Sequence, residues 1–391
     1  MNWRELLLGY PYFKHKSLIK KSKEWSYEQI KEFNQKNIDH SLPISSKKQY
    51  MENPERFNTS RFKFLTQQVT TGGTTGTPFR FQRDLFHSRQ KERAYVFDIW
   101  SEIGYKPFDL RVVYRGNTNS EKMISYNFLE NAYNINPKYI IEESKPELIK
   151  FLQSLKPFFL HVYPSSLMSV INFLGEEIFG SLNILGIFAG SEALPKSQMD
   201  YIRNKFDIPF AHWYGHTEYA VLAKYCYEAD VFCFYPTYEA VEFSKNNNTE
   251  FYSIVATSYN KIGTRFQRFN TEDVCSGIDE IHCHNNKFIS VKRIIGRQQE
   301  FFYDLEGIKT AFGPYIFGIH GNFWNYFDKI QLVQEQKGRL IVLIENEKGI
   351  KTRTILMERF SNRVELDFQK VDSIKKTISG KHQYFIQKLM E

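Results

Sequence analysis

Two periodicities alternate along the first two-thirds of the chain. Tyr27 to Asn34 repeats apolar residues at helical spacing, and a second short helix is expected over Ser45 to Glu52, after the break at Leu42-Pro43. Asp84 to Ile103 predicts a helix of about five turns, with Leu85, Tyr95, Val96, Ile99 and Trp100 as its apolar members. Leu110 to Arg115 alternates as a strand, Pro146 to Leu155 is helical, and Phe158 to Tyr163 is strand-like. Pro164-Ser165-Ser166 opens a helix reaching Leu174. Leu182 to Phe188 is almost wholly apolar, which predicts a strand covered on both faces. Gly190 to Pro195 ends it, and a helix through Lys205 follows.

This alternation predicts an α/β fold, a sheet flanked by helices whose ligands sit beyond the carboxyl ends of the strands. From Val231 the pattern changes. Tyr238 to Phe243, Phe251 to Ala256 and Phe288 to Ile295 read as strands of an antiparallel, barrel-like part, and Asn246-Asn247-Asn248 reads as a hairpin turn. Beyond Gly296-Arg297, strands at Lys329 to Gln334, Arg339 to Glu345 and Glu365 to Val371 surround a helix at Lys351 to Val364. The expected division is a large domain over residues 1–298 and a small α+β domain over 299–391.

Composition narrows the class. Of 391 residues, 42% are hydrophobic and 16% aromatic, enough for packed cores and too apolar for a disordered chain. The net charge of +8 is a modest excess spread along the chain, which suits an anionic substrate and does not call for nucleic acid. Four cysteines make no disulfide framework, so a reducing cytoplasm is expected. No apolar run is long enough to span a membrane, and the three-Leu run near the start is too short for a secretory signal. Nothing in the sequence points to an oligomeric state.

The densest chemistry is Thr70-Thr71-Gly72-Gly73-Thr74-Thr75-Gly76-Thr77-Pro78. Glycines permit close backbone approach and the threonines add hydroxyls, so the stretch reads as an anion-binding loop, or else as a flexible polar one. It lacks the Gly-Lys-Ser/Thr ending of a Walker loop. Gly190-Ser191-Glu192 and Tyr214-Gly215-His216-Thr217-Glu218 follow at places where strands should end, and Asn270-Thr271-Glu272-Asp273 comes after them. Ile295-Gly296-Arg297 and Ser379-Gly380-Lys381 complete the series.

In this order and spacing, the six pieces resemble those of the AMP-forming, acyl-adenylate-forming enzymes. The resemblance runs from about Leu42 to the C-terminus and is nearest to the phenylacetate–CoA ligase-like branch, above all its capsular-polysaccharide-biosynthesis members. It implies ATP-dependent activation of a small carboxylic acid, with release of pyrophosphate and transfer of the acyl group to CoA or to an amine on a sugar or amino acid. By residue, it implies that Thr71, Gly72, Gly73, Thr74, Thr75, Gly76 and Thr77 cradle the phosphates, and that Glu218 helps hold Mg²⁺. Gly190, Ser191, Glu192, Tyr214, Gly215, His216 and Thr217 would flank the nucleotide. Asp273 and Arg297 would reach the ribose, and Lys381 would bridge the attacking carboxylate and the α-phosphate. His161 to Ser166, with Trp213 and Tyr214, are candidates for the acid pocket. Two departures stand out: Glu272 replaces the glycine that commonly precedes the ribose carboxylate, and Gln298-Gln299-Glu300 replaces the acidic pair of the hinge. Adenylyl transfer that leaves AMP on the product, as in the coenzyme-adenylylating members of the branch, and a non-catalytic nucleotide-binding scaffold are the alternatives.

The same resemblance aligns Cys226, Cys233, His282 and His284 with positions that bind structural zinc in some members of the branch. Two thiolates and two imidazoles are a chemically acceptable tetrahedral set, although buried cysteines also occur for packing alone. With this set formed, purified protein is expected to carry near-stoichiometric zinc by elemental analysis, and metal-free protein of native stability would remove the assignment.

Overall fold

The computed structural model describes residues 8–58, 63–70, 79–115, 120–190, 192–245, 251–259, 262–279, 282–283, 286–287, 289–297, 301–312, 315–316, 319, 323–360, 363–375 and 382–389. The fold class is mixed α/β, as expected, with a large sheet-containing N-terminal part and a smaller C-terminal part. By internal packing the chain divides into two compact units, residues 1–108 with 211–294 and residues 109–210 with 295–391.

In the first unit, the strands Ala240–Lys245, Tyr252–Thr257, Phe269–Asp279, Ile289–Arg297, Val231–Phe234, Leu222–Cys226 and Phe210–Gly215 lie side by side in that order. Apart from the pair Phe269–Asp279 and Ile289–Arg297, the neighbours run antiparallel, as alternating patterns with short connections favour. Tyr50, Phe79, Phe81, Phe266 and Phe269 pack together in the core on one side. The strands Thr66–Thr70 and Arg80–Asp84 form a separate antiparallel pair that brackets the Thr/Gly stretch. The stretch itself, Thr71 to Pro78, lies outside the described residues, as does Asn246-Asn247-Asn248.

The long helix of this unit is Ser88–Ser101, shorter than the expected Asp84 to Ile103. Asp84 ends the preceding strand, and its Oδ1 accepts the backbone N–H groups of Phe86, His87 and Ser88 at 3.2, 2.5 and 3.0 Å. The carboxylate thus serves the orphan donors at the helix start from outside the helix. Leu85 is correspondingly no member of the apolar face and is 40% exposed. The buried face is partly polar. Lys91 pairs with Glu239 and donates to the Tyr238 carbonyl at 3.2 Å, Tyr95 donates to the Thr237 carbonyl at 2.7 Å, and Asp98 accepts from Tyr235 at 2.8 Å.

In the second unit, Ile184–Gly190, Phe158–Val162, Arg111–Tyr114 and Ala132–Ile135 are parallel neighbours, and Ile124–Asn127 closes the edge antiparallel. Every residue of Phe158–Val162 is buried, as a strand covered on both faces must be. A four-stranded sheet, Glu365–Val371, Arg339–Glu345, Lys329–Gln336 and Phe385–Gln387, packs with the helix Lys351–Phe360 around Phe302, Phe312, Phe323 and Trp324. Phe385–Gln387 supplies a parallel edge that the sequence pattern did not predict.

Lys91 and Glu239 are both buried, so removing one charge strands the other. Lys91→Met is expected to cost about 3–5 kcal/mol in urea unfolding, and Lys91→Met combined with Glu239→Leu is expected to recover most of it.

Candidate functional site

The site is built on two strand ends and one short helix of the first unit. The strand Phe210–Gly215 carries Tyr214 and runs into His216-Thr217-Glu218, where the Tyr219 N–H closes a turn on the His216 carbonyl at 3.0 Å. Tyr219 has φ +55°, and the Arg83 guanidinium lies 4.7 Å from its ring centre while donating to the Thr217 carbonyl at 3.5 Å. The turn therefore points Glu218 inward rather than along the strand direction.

The strand Phe269–Asp279 carries the second cluster. Ser253 pairs with its Val274, and Val255 with its Asn270, so a two-residue step on one strand faces a four-residue step on the other. Thr271, Glu272 and Asp273 form the resulting bulge, a device that re-aims side chains at the cost of ladder hydrogen bonds. Local bonds replace that ladder. The Asn270 side chain accepts the Glu272 N–H at 2.9 Å, Thr271 Oγ1 accepts the Asp273 N–H at 3.2 Å, and the Thr271 hydroxyl donates to the Ile254 carbonyl at 2.8 Å. Glu272 sits at φ +66°, the left-handed region that glycine enters freely and other residues enter at a cost of about 1 kcal/mol. The departure noted in the sequence thus falls on the one backbone position of the bulge that suits glycine.

The bulge brings Asp273 to Tyr214, whose hydroxyl donates to Asp273 Oδ2 at 2.6 Å. Burial, and next the neighbouring carboxylate, push the Tyr214 hydroxyl well above its ordinary pKa, so it stays a donor. Its bond occupies one carboxylate oxygen of Asp273.

Glu218 is the most constrained group. Its side chain is 6% exposed. Burial alone raises its pKa, but the hydrogen bond and charge of His216, with the charge of Lys47, outweigh that and bring it to about 2. His216 Nδ1 lies 3.1 Å from Glu218 Oε2, and Lys47 Nζ lies 3.8 Å from Oε1. Lys47 also pairs with Glu272 at 3.2 Å. It comes from the helix Lys47–Glu52, whose Ser46 cap and Gln49 exchange hydrogen bonds. Ser45 fastens this helix to the bulged strand: its N–H donates to Arg268 O, and its carbonyl accepts from the Asn270 N–H, both at 2.8 Å. Sequence reasoning placed the helix but missed Lys47, since a lysine on a short polar helix reads as solvated. The one signal noted was Glu272, an acidic residue where glycine is common.

The remaining expected residues lie elsewhere or outside the description. In the second unit Gly190 ends the strand Ile184–Gly190, and Glu192 Oε1 accepts the His382 N–H at 3.0 Å. Burial, and then the charge of Glu192, push the Tyr384 hydroxyl up. In the same unit, His161 is buried beside Arg115, while in the first Trp213 packs against Trp100. Arg297 ends the strand Ile289–Arg297, and its side chain lies outside the described residues. Ser191, Lys381 and Thr71 to Thr77 lie outside them as well.

For a divalent cation, the donor chemistry fits. Glu218 offers an ionised hard-oxygen donor, and Mg²⁺ is commonly held by one or two carboxylates together with substrate phosphates. For zinc, Cys226 and Cys233 lie buried on the neighbouring strands Leu222–Cys226 and Val231–Phe234, packed with Val231. The side chains of His282 and His284 lie outside the described residues. Among the described residues, no three His, Cys, Asp or Glu side chains gather as a metal-holding group, and no helix is long and apolar enough to cross a membrane.

Comparison with known proteins agrees with this architecture. Residues 315–388 match the family model of the CapK C-terminal domain. The chain is similar in structure to 2-hydroxyisobutyryl-CoA ligase in its postadenylation state in complex with 2-HIB-AMP. The TM-score is 0.60 at 14% identity, over 96% of this chain and 88% of that one. It is also similar to the anthranilate CoA ligase AuaEII in complex with anthranoyl-AMP, with a TM-score of 0.50 at 11% identity over 80% and 65%. At these identities the likeness establishes the fold, that of the AMP-forming acyl-CoA ligases. No curated protein matches the chain by sequence.

The folded-state pKa of Glu218 lies below its ordinary 4.5, so its contribution to stability is complete above that pH and is lost as the pH falls toward 2. Between about pH 5 and about pH 2.5 the urea midpoint of the wild type is expected to fall more steeply than that of Glu218→Gln. Parallel slopes would show that Glu218 is not the ionised, paired group.

Proposed function

We propose that the protein activates a carboxylic acid with ATP, forming an acyl-adenylate and pyrophosphate, and passes the acyl group to CoA or to an amine acceptor. The observation that carries this reading is the occurrence in one unit of a buried Glu218, held low by His216 and Lys47, and an Asp273 presented on a bulge to Tyr214, within the fold of the acyl-CoA ligases. In the reaction, a carboxylate oxygen of the acid attacks the α-phosphorus, the bond between the α-phosphorus and the bridging oxygen breaks, and pyrophosphate leaves. No proton need move in that step.

On this reading the two oxygens of Asp273 accept the ribose hydroxyls, Oδ2 with the lone pair that Tyr214 leaves open, and Arg297 supports it. Gly190, Ser191, Glu192, Gly215, His216 and Thr217 line the nucleotide. Thr71, Gly72, Gly73, Thr74, Thr75, Gly76 and Thr77 hold the β- and γ-phosphates through backbone N–H and hydroxyl donors. Mg²⁺, held by Glu218 and the phosphates, would supply positive charge against the leaving group. Lys381 bridges the carboxylate and the α-phosphate as charge builds, the kind of donor whose removal costs most in the transition state. With the boundary expected at residue 298, residues 299–391 would act as a lid that carries Lys381. The CapK-type match over 315–388 supports a role in surface-polysaccharide biosynthesis.

The test is pyrophosphate–ATP exchange over a panel of carboxylic acids. Wild type is expected to exchange only with its cognate acid, Lys381→Ala to lose about 100-fold or more in rate, and Asp273→Ala to bind ATP more weakly. Exchange absent with every acid would overturn the reading. Pyrophosphate release with a stable AMP-linked product would indicate adenylyl transfer, and ATP binding without turnover a scaffold. CoA consumption against hydroxylamine trapping then separates the two acceptors.

A further inference from the structure

The arrangement around Glu218 contains a cation with two carboxylates to choose from. Lys47 Nζ stands 3.2 Å from Glu272 Oε2 and 3.8 Å from Glu218 Oε1. The other oxygen of Glu218 faces His216 Nδ1. Lys47 and Glu272 are mostly buried, their side chains 15% and 22% exposed, so both interactions are poorly screened. The lysine is not at this place by chance of rotamer alone. Ser45, the residue that precedes the helix cap, is hydrogen-bonded to Gln267, Arg268 and Asn270, at the start of the strand that carries Glu272 and just before it. Tyr50, on the same short helix, accepts the Gln267 N–H at 2.8 Å and stacks on Phe57. Helix and bulge therefore hold Lys47 between the two carboxylates as a unit.

Glu272 occupies a left-handed backbone position where glycine would be strain-free. Its carboxylate makes the closer of the two contacts with Lys47. We propose that Lys47 is a positioning residue for the divalent cation of the reaction. Lys47 is shared between Glu218 and Glu272 in this structure, and Glu272 would hold it alone were Glu218 to bind a divalent cation. Glu272 is the acceptor that makes this inexpensive, since a half-buried ammonium left without a counter-ion would oppose the metal. The inference rests on the adenylation reading for the identity of the ligand set, and it assigns to Lys47 and Glu272 a function of their own: setting how much Mg²⁺ the site requires.

The two residues are then expected to act in opposite directions. With Lys47→Met, Glu218 loses its competing cation, and the Mg²⁺ concentration at half-maximal binding falls by about fivefold or more. With Glu272→Gly, strain is relieved but Lys47 keeps Glu218 as its only ion-pair partner among the described residues, and the midpoint rises by a similar factor. Lys47→Arg keeps the charge and stays near wild type in direction. The double variant follows Lys47→Met, because Glu272 acts only through the lysine.

The readout is binding of α,β-methylene-ATP to the full-length protein by isothermal titration at a series of Mg²⁺ concentrations, with melting temperature followed in parallel. A purely structural role for the pair would shift both variants the same way, and a solvated pair would shift neither. Either result overturns the proposal, as does absence of Mg²⁺-dependent nucleotide binding in the wild type. Melting temperatures without nucleotide identify a variant that fails to fold, and Lys47→Gln with Glu272→Gln then serves as the second pair. Opposite shifts in a protein that never exchanges pyrophosphate would leave this inference standing and remove the adenylation reading. Normal exchange with unshifted midpoints would do the reverse.

Discussion

A carboxylate that is almost wholly buried and yet ionised imposes the strictest condition on the first unit of this protein. Removing a charge from water costs several kcal/mol unless compensating charges stand close by, and Glu218 has two bases against its two oxygens, His216 and Lys47. His216 comes almost for nothing, two residues away in the same turn. Lys47 comes from a segment more than 170 positions earlier and has to be fastened in place, which gives a physical reason for the hydrogen bonds of Ser45 and Tyr50 to the stretch Gln267 to Asn270. The cluster is thus assembled around a charge rather than around a hydrophobic contact.

The bulge at Thr271 to Asp273 solves a related problem. A regular strand would alternate Glu272 and Asp273 to opposite faces, and only a break in the ladder lets Asp273 meet Tyr214 while Glu272 meets Lys47. The backbone cost at Glu272, about 1 kcal/mol, is of the same order as one partly buried ion pair. That balance accounts for a glutamate at a position suited to glycine: the side chain offsets the strain that it introduces.

Polar burial recurs wherever elements of different types meet. The helix Ser88–Ser101 meets Tyr235 to Glu239 through Lys91, Tyr95 and Asp98 as well as through apolar contacts. In the second unit, Glu192 receives the amide of His382, immediately after the lysine expected to carry the chemistry. Fully matched networks of this kind specify one packing arrangement over others of similar hydrophobic content.

The sequence by itself determined the alternation of strands and helices, because burial of one face writes its period into the order of residues. It determined Arg339–Glu345 and Glu365–Val371 to the residue, and it marked Tyr214, Glu218 and Asp273 as candidates through motifs that survive in one dimension. Tertiary structure alone decided three other things. The helix after Asp84 starts at Ser88, because a carboxylate outside the helix serves its first amides. The strand Phe269–Asp279 is bulged, because its register is set by Tyr252–Thr257 and not by its own pattern. Lys47 stands between Glu218 and Glu272, because electrostatic partners are chosen by distance in space, and a lone lysine on a polar helix has no period or motif to reveal it.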